Sequence, residues 1–253
     1  MYRYITVFIL IIFSLTASGQ NAFDENGDRT GPWKGVYPDG TLWYKGEFAS
    51  GRPVGLMKRY DEEGNLSTIM NFYSESDRCF AEMYSKNGLV IAKGIYESQK
   101  KDSTWIYLGS DGNIRMVENY EMGRLDGPVE YYYPSGNLSQ RLHYRSGKKE
   151  GPWIKFFENS DTMTVASYTI GMLHGDYFSY YPGGKISISG KYHNDLKDGN
   201  WSYFSEKGEL VSVIKYDKGE VLNPDELEKS YERFIKTIEE NEGNIPDPDS
   251  GLR

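Results

Sequence analysis

Between Gly31 and Leu222 short runs of alternating apolar and polar residues stop at glycine, and both the runs and the stops recur every 24 residues. The opening residues Gly31, Gly55, Gly127, Gly151, Gly175 and Gly199 fall on one grid, whose two other slots hold Cys79 and Ser103. Nine residues into a copy a second glycine follows, from Gly40 to Gly208, with Ser160 in its place once; seventeen residues in, every copy has an aromatic, from Phe48 to Tyr216. The copy opening at Gly127 shows the unit most clearly. Pro128 to Tyr133 is a short aromatic run, Pro134-Ser135-Gly136 is a turn, and Asn137 to Tyr144 is a second run in which Leu138, Gln140, Leu142 and Tyr144 alternate with Ser139, Arg141 and His143. A period of two places one set of side chains on one face of a strand. Strand, turn, strand makes a hairpin, and the spacing of Gly147 to Gly151 marks the turn to the next one.

Eight such copies predict a mainly β fold: an elongated single antiparallel meander of eight 24-residue hairpins over residues 20–222. In the first strand, positions two and five after the opening residue are apolar or aromatic in every copy (Trp33 and Val36, Val129 and Tyr132, Trp201 and Phe204) although their parity is opposite. Either a β-bulge resets the register or the sheet is covered on both sides, and the bulge is favoured. A four-bladed propeller fits less well, because odd and even copies show no systematic difference. An outer-membrane barrel also fits less well, because its strands need an apolar outer face, where this chain has Lys45, Arg115, Arg141, Lys191 and Lys215. Cys79, Gln99 and Ser103 replace glycines, so any break in the array is expected between Cys79 and Asp126.

After the repeats, Asn223-Pro224-Asp225-Glu226 has the form of a helix start with Asn as N-cap, and Leu227, Tyr231, Phe234, Ile235 and Ile238 share one helical face. A helix over 223–242 is expected to cap the last strand, followed by a disordered tail over 243–253. At the other end, Arg3, the apolar run Ile5 to Leu15 and the small residues Ala17-Ser18-Gly19 form a secretory signal peptide over 1–19, which places the mature chain in the periplasm or outside the cell.

Composition supports strands and turns, with 22 Tyr and 28 Gly, while the single Cys79 cannot form a disulfide within the chain. A net charge of -8 without a basic run argues against a nucleic-acid partner, and membrane lipid is not expected.

Gly151-Pro152-Trp153, Tyr180-Tyr181, Gly136-Asn137-Leu138 and Tyr144-Arg145-Ser146-Gly147 give the unit a pattern that resembles the MORN (membrane occupation and recognition nexus) repeat, more closely the bacterial variant of the YwqK family of toxin-antitoxin proteins. The resemblance covers about residues 22–222. It implies an extended hairpin array that binds protein, with lipid binding claimed for some members, and no shared catalytic residue. With a signal peptide, an antitoxin of this type would meet its toxin outside the cytoplasm.

The three histidines, His143, His174 and His193, lack His-x-x-x-His spacing and there is no Cys pair, so no zinc site is expected. Cys79 fills a glycine slot, and Asp39, Asp111, Asp126 and Asp198 each precede a glycine, where turn chemistry explains them. No calcium β-roll pattern and no phosphate loop is present, so no catalytic residue, metal or cofactor is assigned. The candidate contact residues are aromatic. Position six gives Tyr133, Phe157 and Tyr181 in successive copies, with Tyr37 in the first, and Tyr131 and Tyr203 stand two residues earlier in their own strands. A row of outward rings would bind a protein, peptide or sugar, whereas cross-strand stacking would give the rings a purely structural use. The sequence therefore points to an exported, non-enzymatic scaffold that binds a protein partner through its sheet. A YwqK-type antitoxin and an envelope carbohydrate-binding accessory protein stand as alternatives.

Overall fold

The computed structural model describes residues 20–73 and 76–240; the signal peptide and the tail expected over 243–253 lie outside them. The described chain is an antiparallel β-meander with a single helix and falls into two compact units divided between Gly88 and Leu89, inside the stretch marked by missing glycines.

The first unit contains β1 (Ala22–Phe23), β2 (Arg29–Val36), β3 (Leu42–Ala49), β4 (Arg52–Tyr60), β5 (Leu66–Phe72) and β6 (Arg78–Tyr84), each pairing with its neighbour in the chain. The second opens with β7 (Val90–Glu97), β8 (Lys100–Leu108), β9 (Ile114–Glu121), β10 (Arg124–Leu125), β11 (Gly127–Tyr132), β12 (Leu138–Arg145) and β13 (Lys148–Phe156). It continues with β14 (Thr162–Thr169), β15 (Met172–Leu173), β16 (Gly175–Tyr180), β17 (Ile186–His193), β18 (Leu196–Phe204), β19 (Leu210–Asp217) and β20 (Glu220–Val221), then α1 (Pro224–Glu240). Two hairpin strands are split in two: β10 and β11 both pair with β9, and β15 and β16 both pair with β14.

Turn chemistry repeats with the sequence. In the fifth copy Tyr133 N–H donates to Asn137 O and Gly136 N–H to Tyr133 O, each at 2.9 Å, with Gly136 at φ +89°, a conformation glycine adopts without steric cost. The turns between hairpins form a ladder of their own: Gly123, Gly147, Gly171 and Gly219 donate to Lys101, Leu125, Lys149 and Lys197, each to the carbonyl 22 residues earlier, at 2.8 Å. A carboxylate seals several rungs, as where Ser146 N–H donates to Asp126 Oδ2 and Ile170 N–H to Glu150 Oε2. Where His174 takes the carboxylate position, Asp195 takes the glycine position, and its Oδ1 accepts from Leu173 N–H at 2.7 Å.

A bulge is present, in the second strand of the hairpin rather than the first. Tyr131 stands opposite Gln140 but Tyr132 opposite Leu138, so Ser139 is the extra residue; the same shift occurs at Lys155/Phe156, Ser179/Tyr180 and Tyr203/Phe204. The first strand keeps its alternation, and position five lies on the opposite face from position two. Tyr132 accordingly donates to Glu130 Oε2, two residues back on the same strand. The bulge brings position eleven level with position five and removes it from the core row, and Ile114, Ile186 and Leu210 are exposed. Position eleven is aliphatic in seven copies (Leu42, Leu66, Val90, Ile114, Leu138, Ile186 and Leu210), and its alternation with polar neighbours predicts a place on the buried face; the bulge overturns that expectation.

The core row consists of positions two and fifteen, paired across each hairpin. Val129 faces Leu142, Trp153 faces Ala166 and Trp201 faces Ile214, and most of these side chains are buried. Gly94 and Gly190 occupy position fifteen immediately before a Trp copy, and a Cβ on either would lie 2.4 Å from the indole of Trp105 or Trp201. The indoles lie over these glycines and donate to Ile95 O at 2.9 Å and Lys191 O at 3.1 Å.

At the last strand, Asn223 performs a different task from the one its N-cap position suggests. Its backbone carbonyl accepts from Glu226 and Leu227, while its side chain pairs with the sheet edge, donating to Val213 O at 2.8 Å and accepting from Lys215 N–H at 2.7 Å. Only part of the expected apolar stripe of α1 is covered: Leu227 is half-buried, whereas Tyr231 and Ile235 are exposed.

Candidate functional site

Within the second unit the two faces of the sheet differ in charge. On the face away from the Trp row, cations are paired with carboxylates: Arg141 with Glu130 at 2.7 Å and Lys191 with Asp176 at 3.5 Å. Burial pushes the Glu130 carboxyl upward, but hydrogen bonds from Tyr132 and Arg141 outweigh it and leave the group below its ordinary value.

The Trp face carries lysines of another kind. Lys101, Lys149 and Lys197 stand four residues before Trp105, Trp153 and Trp201, in alternate copies of this unit. Each ammonium lies over aromatic rings. Lys101 is 4.8 Å from the Trp105 centroid, Lys197 is 4.4 Å from that of Trp201, and Lys149 is 4.7 Å from the Tyr168 ring. In two of these copies a tyrosine at position four meets the lysine. Lys197 donates to the Tyr203 hydroxyl at 3.4 Å; Lys101 donates to Tyr107, which donates in turn to Glu118. Glu118 also accepts from Tyr120, whose hydroxyl is pushed up to about 12 by burial and by that carboxylate.

The sixth copy breaks this rule. Its position four is Lys155, so the pattern Lys-x-x-x-Trp-x-Tyr of its neighbours becomes Lys149-x-x-x-Trp153-x-Lys155. With Leu142 rather than glycine beside it, the Trp153 indole donates to Gln140 Oε1 at 3.2 Å instead of to a backbone carbonyl. Here the Trp face opens into a groove of about 360 Å³ lined by Tyr131, Tyr133, Ser139, Gln140, Lys155, Phe156 and Met163.

Of the contact residues expected from sequence, the structure brings two into this groove, Tyr131 and Tyr133. Tyr131 is half-buried, lies in register with Gln140, and forms no hydrogen bond to another described residue; burial raises its hydroxyl above the ordinary value. Tyr133 and Tyr181 are fastened between copies, donating to Phe156 O at 2.8 Å and Phe204 O at 2.9 Å, as Tyr37 donates to Tyr60 O at 3.0 Å in the first unit. Phe157 is half-buried at the neighbouring turn, and Tyr203 is half-buried in register with Ser212, the residue of β19 that meets Ser230 of α1. Ser139, Gln140, Lys155 and Met163 were not singled out from sequence. Comparing position four across the Trp copies would have flagged Lys155.

The fold and its period define this chain as a β-hairpin repeat protein. Four segments, residues 29–49, 53–72, 125–146 and 173–194, match the MORN repeat variant. The matched segments hold Tyr131, Tyr133 and Gln140 but leave out the strand bearing Lys149, Trp153 and Lys155. No curated protein matches the chain. Among solved structures it is similar to a GtfA/B complex bound to UDP and GlcNAc, with 12% identity over 66% of this chain and 27% of that one, at a TM-score of 0.20. It is also similar to the Photorhabdus luminescens Tc holotoxin pore, with 10% identity over 77% of this chain and 13% of that one, at a TM-score of 0.18. The chain thus spans less than a third of either, and likenesses at these scores bear on neither fold nor function.

Proposed function

We propose that this protein is a non-enzymatic repeat scaffold that docks a protein partner on the Trp face of its second unit. The observation that carries the proposal is the groove at Tyr131, which combines aromatic rings, a methionine and polar donors in one half-buried concavity, the make-up of the centre of a protein-protein contact. The match to the MORN repeat variant supports a scaffold. The chain is exported, and its mature form starts at Gln20, which N-terminal sequencing of the secreted protein checks. Neutralisation of a toxin outside the cytoplasm is the form this docking takes if the YwqK resemblance extends to activity. The groove is tested by filling it: Ser139, the extra residue of the bulge, is replaced by Trp. A partner held by the wild-type chain and lost by Ser139→Trp at unchanged melting temperature supports the groove, and equal retention by both chains refutes it.

A further inference from the structure

The groove of the sixth copy is rich in hydrogen-bond donors and, among the described residues, is lined by no carboxylate. Tyr131, Gln140 and Lys155 form one cross-strand row over β11, β12 and β13. The indole N–H of Trp153 can only donate, so the Gln140 oxygen must face it, and the amide NH₂ of Gln140 is directed away from the indole. The Tyr131 hydroxyl forms no hydrogen bond to another described residue, and neither Lys155 nor Lys149 forms an ion pair with a described carboxylate. Lys149 stands opposite Tyr144 and Lys155 opposite Gln140, four residues apart along β12, or roughly 13 Å at about 3.3 Å per residue. In the fourth and eighth copies the lysine at Lys149's position meets a tyrosine hydroxyl; here a second lysine stands in that tyrosine's place. At that separation along β12 the mutual repulsion of Lys149 and Lys155 is weak, so the two ammoniums can each engage a separate anionic group of one extended ligand.

We propose that this row recognises carboxylate side chains of an acidic, extended segment of a partner protein. The inference rests on the scaffold reading above and adds the partner's chemistry. A carboxylate is acceptor-only and complements a row in which the Lys155 ammonium and the Gln140 amide NH₂ only donate and the Tyr131 hydroxyl can donate. Two lysines packed against rings suit a short acidic stretch better than a bilayer or a nucleic acid, whose dense charge calls for many projecting cations. The net charge of -8 hides this face: Glu130 and Asp176 lie on the opposite face and Asp126 and Glu150 in the turns, while Glu118, which is on the Trp face, is taken up by Tyr107 and Tyr120.

The test uses the full mature chain and a fluorescent peptide of alternating Glu and Ser, with a Gln-for-Glu peptide of equal length, vesicles containing phosphatidylserine, and tripolyphosphate as comparisons. The Glu peptide is expected to bind, to weaken as salt rises, and to lose at least about tenfold in affinity with the double variant Lys149→Gln/Lys155→Gln at unchanged melting temperature. Tyr131→Phe should lose a smaller factor. Equal binding of the Gln peptide, indifference to the double variant, or binding of vesicles or tripolyphosphate in preference to the peptide overturns the proposal. If a partner blocked by Ser139→Trp still binds the double variant, the acidic segment is wrong while the groove stands. If Ser139→Trp blocks nothing, the scaffold reading itself fails.

Discussion

The glycines at position fifteen show how much one residue decides in this sheet. Gly190 leaves room for the Trp201 indole to lie over the strand and reach Lys191 O, and a methyl group there would sit 2.4 Å from the ring. Gly190→Ala is expected to destabilise by about 1–3 kcal/mol, the usual cost of overpacking, with a shift in Trp emission on the same urea titration. Glu130 gives a prediction in pH. Its folded carboxyl lies below the ordinary value, so its contribution is present above the unfolded pKa of about 4.3 and is lost as pH falls through the folded value. Glu130→Gln should therefore lower the melting temperature at neutral pH and leave it little changed below the folded value, which flattens the acid limb; an unchanged acid limb would show that the Arg141 and Tyr132 contacts are silent. Tyrosine shows why residue type alone misled. Tyr131 and Tyr133 stand two positions apart, yet the first lines the groove with its hydroxyl uncommitted while the second is committed to Phe156 O in the next copy.

Hairpins and their turns were legible because each turn needs a left-handed backbone, which leaves a glycine on a fixed grid. Which face each residue takes was legible only up to the bulge. One extra residue at Ser139 moves Leu138 to the other face, and periodicity cannot indicate which of two strands holds the insertion. Asn223 was placed correctly at the helix start, but the use of its side chain depends on the open edge of β19, which local sequence does not display. Replacing it with Ala leaves Lys215 N–H and Val213 O without those partners. The expected cost is roughly 1–2 kcal/mol at this edge, seen as faster amide exchange at Lys215 and loss of helical circular dichroism, with the central strands of the unit unaffected.

For the molecule as a whole, repetition makes the exception informative. Three copies of the second unit share a lysine and a tryptophan at fixed spacing, and the one that replaces the accompanying tyrosine by Lys155 is the one where the groove opens. Departures from a locally consistent rule concentrate where function is carried. The difference between the faces was invisible in linear order, since the lysines that lie over rings on the Trp face and the ion pairs of the other face interleave along the chain. The claim that the Trp face at this copy is the contact surface is tested most directly by site-specific photocrosslinking in envelope extract. A benzophenone amino acid is placed at Ser139 on the groove and, separately, at Ser167, which pairs with Pro152 on the other face. A single partner adduct from position 139 and none from 167 is predicted; adducts from 167 with none from 139 would contradict the account.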